Sequence, residues 1–412
     1  MYMGLQNINF GLQIRVVLIV LLICFFQLYA GSLQISWNEN TEQDLAGYRI
    51  YYGLSSQAYS DTIDVGNVTS YAVGGLVDGE TYYFTVTAYD FSGNESEFSD
   101  QVFATVGTHN IAATYATAGI AITWDEVNGA DSYQVFRSTE PYFTPGQPVA
   151  SVTQLSYTDN SYSEVAGQGR YYLVKALSGG EEIFRSKRVG VFTSRIASGT
   201  NMVSIPLIPV NPSISAVLGA QLHGATNFLD ADKVYYWEGS GYNIAWLVEG
   251  STGPLEGKWM NLTGSEESNI ELSPDQSFWI IHEPQEEELI TFAGIVSEEA
   301  SRTIALTEGT NFIGWPFPLE ESLDQSELYE DGVVKGATNS IGADKIMRWN
   351  PDLNQFEMAW CVDNTGTEYD GKWYNQNGSG LTTIQFKPGF GYVLLRQNQY
   401  QNNDWSVPNP NF

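Results

Sequence analysis

The sequence predicts an all-β chain divided into several small modules in place of one large core. Three observations predict it. Short runs alternate apolar and polar residues at the two-residue period of half-buried strands, no helical periodicity of any length interrupts them, and the second half repeats its own blocks at a nearly constant spacing. Composition agrees: 11 Trp, 25 Tyr and 20 Phe suit strands, and 40 Gly suit tight turns. The 412 residues carry 48 acids against 18 Lys plus Arg, a formal charge of −30, which argues against a nucleic-acid or anionic-membrane partner. Hydrophobic residues at 43% exclude wholesale disorder.

Residues 1–30 read as a signal peptide. One charge, Arg15, precedes the apolar run Val16 to Phe26, and Ala30 is a small residue at a plausible cut. The run is short for a bilayer span, although a retained anchor is the alternative. Cys24 follows Leu22-Ile23 and lacks the small residues of a lipoprotein cleavage site. Cleavage removes Arg15, so the mature chain is more acidic still, with no membrane insertion expected of it. Cys361 is then the single cysteine, expected as a buried thiol beside Trp360. With no intramolecular disulfide, each module is expected to hold itself together by core burial.

From Leu33 the strands follow in order. Leu33-Gln34-Ile35-Ser36-Trp37 alternates, Tyr48 to Tyr52 ends at Gly53, and Thr81 to Tyr89 places Tyr82, Phe84, Val86 and Ala88 on one face. Trp37, the segment Asp44 to Tyr48, the spacing of Leu76, Gly79 and Tyr82, and the loop Ser92 to Ser96 together resemble a fibronectin type III domain, here assigned to residues 31–107. The resemblance implies a seven-stranded sandwich with Tyr82 as its corner tyrosine.

Residues 108–196 resemble a second, divergent domain of that family, carried by Ile120 to Trp124, Gly129 to Arg137 and Tyr171 to Ala176. Aligning Ala176 with Ala88 puts Arg170 where Tyr82 stands, so the corner hydrogen bond is expected to be absent or replaced. No Arg-Gly-Asp triplet occurs, so receptor binding of that kind is not carried over.

The remainder is a tandem repeat, with copies at 197–303 and 304–412. Gly199 to Pro206 returns as Gly309 to Pro316, a shift of 110. Ala231-Asp232-Lys233-Val234 with Trp237 returns as Ala343-Asp344-Lys345-Ile346 with Trp349, a shift of 112. Ala245-Trp246 and Gly257-Lys258-Trp259 return as Ala359-Trp360 and Gly371-Lys372-Trp373, a shift of 114. Each copy reads as short strands, with a short helix or loop at 211–229 and 319–340. The copies resemble a module found downstream of fibronectin-like domains in bacterial exported proteins, a resemblance that brings no activity with it.

No nucleophile elbow, zinc-binding helix or phosphate loop is present, and the histidines His109, His223 and His282 do not repeat, so no catalytic residue, cofactor or metal is expected. Glu286-Glu287-Glu288 and Glu298-Glu299 lack the spacing of a calcium loop and read as solvated charge. Trp237 and Trp349 are expected in the cores. For Trp246 with Trp360, and Trp259 with Trp373, two roles stay open: packing, or stacking on a ligand. The Gly-Lys-Trp turns, with Lys258 and Lys372, are the favoured candidates because their polar neighbours suit hydroxyl groups. The expected function is a non-catalytic secreted or cell-surface binding, adhesion and spacer protein, with modules in elongated series and an extracellular protein or glycan as partner. The alternatives are a carbohydrate-binding accessory protein of polysaccharide turnover, or a subunit of a surface layer or filament.

Overall fold

The computed structural model describes residues 33–412 except 41, 43, 78–79, 107–109, 117–118, 128, 398–399 and 401–402. The expected signal peptide 1–30, with Cys24, lies outside the described residues, as do Gly79 and His109. Among the described residues the fold is all-β, with one short helix, Ile214–Leu218, and one 3-10 turn, Leu323–Gln325, both in the segments where a helix or loop was expected.

In the first sandwich, Leu33–Ser36 pairs with Ser70–Val73, and Asp61–Gly66, Leu45–Gly53, Thr81–Asp90 and Val102–Thr105 form a four-stranded sheet in that order. Trp37 meets Tyr48 edge-on, with ring centroids 5.3 Å apart, inside a core that includes Ile50, Phe84 and Val86. The Tyr82 hydroxyl accepts from the Val77 amide at 3.2 Å, which is the corner bond its position implied. The second sandwich repeats the core pair, with Trp124 and Tyr133 at 5.5 Å. Its corner bond is replaced. Tyr172 donates to Asp159 Oδ2 at 2.6 Å, and Arg137 donates to the same oxygen at 3.0 Å. Burial pushes the Asp159 carboxyl up, but bonds from Ser161, Tyr172 and Arg137 outweigh it and hold the group well below the usual carboxylate range.

The two repeat copies share one plan. In copy 1 the sheet order is Gly199–Val203, Phe278–His282, Lys233–Trp237, Tyr242–Leu247, Trp259–Asn261; in copy 2 it is Gly309–Gly314, Gly391–Arg396, Lys345–Asn350, Gln355–Cys361, Trp373–Asn375. A separate strand pair closes the opposite side of each core: Val189–Ile196 with Glu288–Ile295 for copy 1, and Ser301–Ala305 with Asp404–Pro408 for copy 2. The Gly-x-Asn start explains the turn between the two layers. Gly199 and Gly309 sit at φ 85° and 90°, and the Asn201 and Asn311 side chains bond back to both sides of the turn, at Ala197 and Gly199 and at Thr307 and Gly309.

The second sandwich and copy 1 each have a buried core, and they also share a sheet. Val189–Ile196 pairs on one side with Gln168–Ser178 of the second sandwich and on the other with Glu288–Ile295, so one six-stranded sheet runs across the 196/197 boundary. Val189 and Val191 face the sandwich core, while Ile196, Ile290 and Phe292 face that of copy 1. All of Val189–Ile196 pairs with Glu288–Ile295, while Val189 to Thr193 pair on the other edge with the second sandwich as well.

A fragment of residues 197–412, lacking Val189–Ile196, should therefore lose a cooperative thermal transition and aggregate through the unpaired Glu288–Ile295 edge. A fragment of residues 110–412 should unfold cooperatively. Circular dichroism melts with size-exclusion chromatography compare the two.

Candidate functional site

The Gly-Lys-Trp candidates do not form a surface. Trp259 and Trp373 are each 1% exposed and belong to the two repeat cores, so of the two roles left open the structure shows packing, and their candidacy for ligand stacking is corrected. Gly257 and Gly371 turn the chain at φ 72° and 83°, and the short edge strands that follow aim both indoles inward. Trp259 Nε1 donates to the Gly219 carbonyl at 2.8 Å. The polar neighbours misled because they serve the turn: Asn261 Oδ1 accepts from the Ser265 amide and Asn375 Oδ1 from the Ser379 amide. Lys258 pairs with Glu267, and Lys372 with Asp324 at 3.2 Å. Trp246 and Trp360 are buried on the opposite face, donating to the carbonyls of Asn261 and Asn375 at 2.9 and 3.0 Å, so packing is their role as well. Cys361 is a fully buried free thiol in the copy 2 core, pushed up by burial.

Trp237 and Trp349, expected in the cores, are half-buried and stand where the copies meet. Trp349 Nε1 donates to the Thr200 carbonyl of copy 1 at 2.6 Å, and its ring lies 5.5 Å from Trp279 and 5.0 Å from Phe356. Trp237 meets Tyr242 at 5.1 Å and Phe312 of copy 2 at 6.0 Å. The contact is reciprocal. The Ser204 amide donates to the Gly389 carbonyl, and the equivalent Gly314 amide donates to the Asp275 carbonyl.

Two clefts open along this seam, and the repeat relates them. The first, about 370 Å³, is lined by Ser194, Arg195, Arg348, Trp349, Asp352 and Lys387 among others, and also touches the second sandwich at Ala166, Gly167 and Phe192. The second, about 430 Å³, is lined by the matching residues of the other copies, including Tyr236, Trp237, Glu238, Ser273 and Ala305. Both volumes fall in the range of small-molecule sites. In the first cleft Arg195 bridges Glu287 at 2.6 Å and Asp352 at 2.8 Å, Arg348 pairs with Glu357 at 2.5 Å, and Lys387 with Glu320 at 3.2 Å. The Arg195 guanidinium holds the Asp352 carboxyl below its ordinary value. Sequence reasoning missed these clefts because each is built from opposite ends of two copies, and the shift arithmetic gives equivalence without giving contact.

The repeated Ala-Asp-Lys blocks are structural. Asp232 is fully buried and accepts from the His223 and Glu283 amides, as Asp344 does from Lys335 and Gln397. His282 lies 2.7 Å from Asp232 and stands where copy 2 has Arg396. Burial pulls the His282 imidazole down, but Asp232 and the Glu286 carbonyl outweigh it and raise its pKa above the ordinary histidine value. Among the described residues no group of three or more His, Cys, Asp or Glu could hold a metal, and no helix is long and apolar enough to cross a membrane. Glu287 and Glu298 pair with Arg195 and Arg188.

Residues 26–105 match the family model of the Fibronectin type III domain, which covers the first sandwich. Over 99 residues the chain is 33% identical to a Kelch domain-containing protein of Saccharolobus solfataricus, covering 23% of this chain and 14% of that one. It is 30% identical over 152 residues to Chitinase A1 of Niallia circulans, covering 32% and 21%. It is 27% identical over 169 residues to Exoglucanase B of Cellulomonas fimi, covering 36% and 14%. The chain therefore spans well under a third of the length of these relatives. Among solved structures, a two-domain fibronectin type III segment from chicken tenascin is 18% identical, covering 40% of this chain and 93% of that one with a TM-score of 0.18. The chicken CNTN1 FN1–FN3 domains are 15% identical, covering 68% and 91% with a TM-score of 0.17.

Trp259→Ala or Trp373→Ala should each cost about 3–5 kcal/mol of stability, measured by urea unfolding, as truncation of a buried tryptophan does. A second expectation concerns pH. Because the folded-state pKa of His282 is raised, its stabilising contribution is fully present below the ordinary histidine pKa and is lost as pH rises through the raised value. The urea midpoint of the wild type should fall across that rise more steeply than that of His282→Asn.

Proposed function

We propose that this chain is an exported, non-catalytic binding and spacer protein in which the sandwiches carry and orient the repeat body, and the seam between the repeat copies meets the ligand. The observation that carries the reading is the position of the first cleft, where the second sandwich and both copies converge around Trp349. The sheet running from the second sandwich into copy 1 supports it, because it fixes the cleft relative to its support. The first sandwich is joined more lightly, through the bridge of Val77 to Arg185 and the bond from the Gly75 amide to the Ile183 carbonyl, as suits a spacer. Fibronectin type III domains are typically non-catalytic, and the first sandwich matches that family. Export follows from reading residues 1–30 as a signal peptide.

A second reading, as a carbohydrate-binding accessory of polysaccharide turnover, is favoured by two observations. Two of the relatives are a chitinase and an exoglucanase. The half-buried Trp349 also shares its cleft with planar polar side chains.

Purified residues 31–412, incubated with a panel of insoluble polysaccharides and of extracellular proteins, should be retained by at least one of them without releasing reducing ends. Time-dependent release of reducing sugar by the purified chain would show it to be an enzyme and overturn the first reading.

A further inference from the structure

The two seam clefts are equivalent by the repeat but unlike in chemistry. Arg195, Arg348 and Lys387 of the first cleft stand where the second has Ala305, Tyr236 and Ser273, while Asn350 and Gly389 stand where the second has Glu238 and Asp275. One cleft thus gathers three cations in a chain that has 18, and its counterpart gathers none of its own at those positions.

These cations are not open charge. Arg195 is held between Glu287 and Asp352, Arg348 is held by Glu357, and Lys387 by Glu320. Paired in this way they offer N–H donors and carboxylate acceptors side by side at fixed positions, with little net charge. That combination matches a ligand whose groups both donate and accept, which is what hydroxyls do. The wall is supplied by Trp349, whose ring is fixed by its bond to the Thr200 carbonyl and by the edges of Trp279 and Phe356. A ring held in this way offers apolar area at little cost in conformational freedom. Ser194 lines the same cleft, and its buried hydroxyl has no hydrogen-bond partner. The formal charge of −30 opposes the approach of a polyanion, so charged glycans are disfavoured.

We propose that the first cleft binds a neutral sugar unit, with Trp349 as the apolar wall and the Arg195–Asp352 pair, Arg348 and Lys387 as hydroxyl partners. This rests on the carbohydrate reading given above and adds the site and the ligand class.

The test is isothermal titration of residues 31–412 with cellohexaose and chitohexaose as neutral probes and polygalacturonate as an acidic one. The wild type should bind a neutral probe, and Trp349→Ala should weaken it by roughly tenfold or more, the equivalent of about 1.4 kcal/mol. Since Trp349 also packs between the copies, Asp352→Ala provides the variant that folds: its side chain is 63% exposed. It should weaken the same probe severalfold with an unchanged urea midpoint, whereas Lys258→Ala, outside the cleft, should bind as the wild type does. If a neutral probe binds and both Trp349→Ala and Asp352→Ala retain full affinity, the site is wrong while the carbohydrate reading stands. Failure of the wild type to bind either neutral probe overturns the reading and the site together. A preference for polygalacturonate overturns the neutral class.

Discussion

The pairing of Val189–Ile196 with Glu288–Ile295 is the contact on which the rest of the architecture depends. The two strands pair along their full length, and their side chains are divided between two cores. A β-strand can do this because successive side chains alternate faces and the ladder continues regardless of which core lies beneath it. Arg188 adds to the junction through Glu298 and the Phe143 carbonyl, and Tyr142 donates to the Ser297 carbonyl. With no disulfide among the described residues to staple small units, a shared sheet is a way to enlarge a core.

The same logic holds between the repeat copies, where it shows in what each copy gives up. Ser204 and Ser277 of copy 1 send hydroxyls across to the carbonyls of Phe390 and Tyr392. Their equivalents in copy 2 are Gly314 and Gly391, and a side chain there would collide with backbone or side chains of copy 1: a Cβ on Gly314 would lie 2.2 Å from the Pro274 carbonyl, and one on Gly391 2.5 Å from Ser277. One copy fills the space that the other leaves. The seam is therefore a fitted contact between unequal halves, and that inequality also distinguishes the two clefts.

Much of this was legible in the sequence. Alternation gave the strands, the Trp37 and Tyr82 positions gave the first sandwich, and the repeat shifts gave two tandem copies, whose strand order came only with the structure. The placement of the tryptophans was not legible, for a physical reason. Lys258 and Asn261 flank Trp259, and polar neighbours ordinarily mark an exposed run. Here they mark a three-residue edge strand entered from a glycine turn, too short for its alternation to be seen. Trp237 and Trp349 sit in longer strands of apolar look, yet lie toward the ends of those strands, past the core and against the other copy. Periodicity reports which face of a strand a residue occupies; it does not report what covers that face. The clefts were out of reach for the same reason, since the first joins residues drawn from Ala166 through Phe390 and the second residues drawn from Tyr236 through Ile313.

Charge follows the seams. In a chain of such acidity, mutual repulsion works against bringing units together, so the placement of the few cations matters more than their number. Arg188 and Arg195 lie at the strand pair that joins the second sandwich to copy 1, Arg195 reaches on to Asp352 of copy 2, and Arg302 of copy 2's closing strand pairs with Asp275 of copy 1. Exposed ion pairs contribute little to stability one at a time. At a junction they bear on which surfaces face one another, since each sets opposite charges across the contact in a chain whose charge is mostly of one sign. The cations that surround the first cleft are thus explained first by assembly. Their availability to a ligand is a consequence of the cleft opening beside them, where three units and their ion pairs converge.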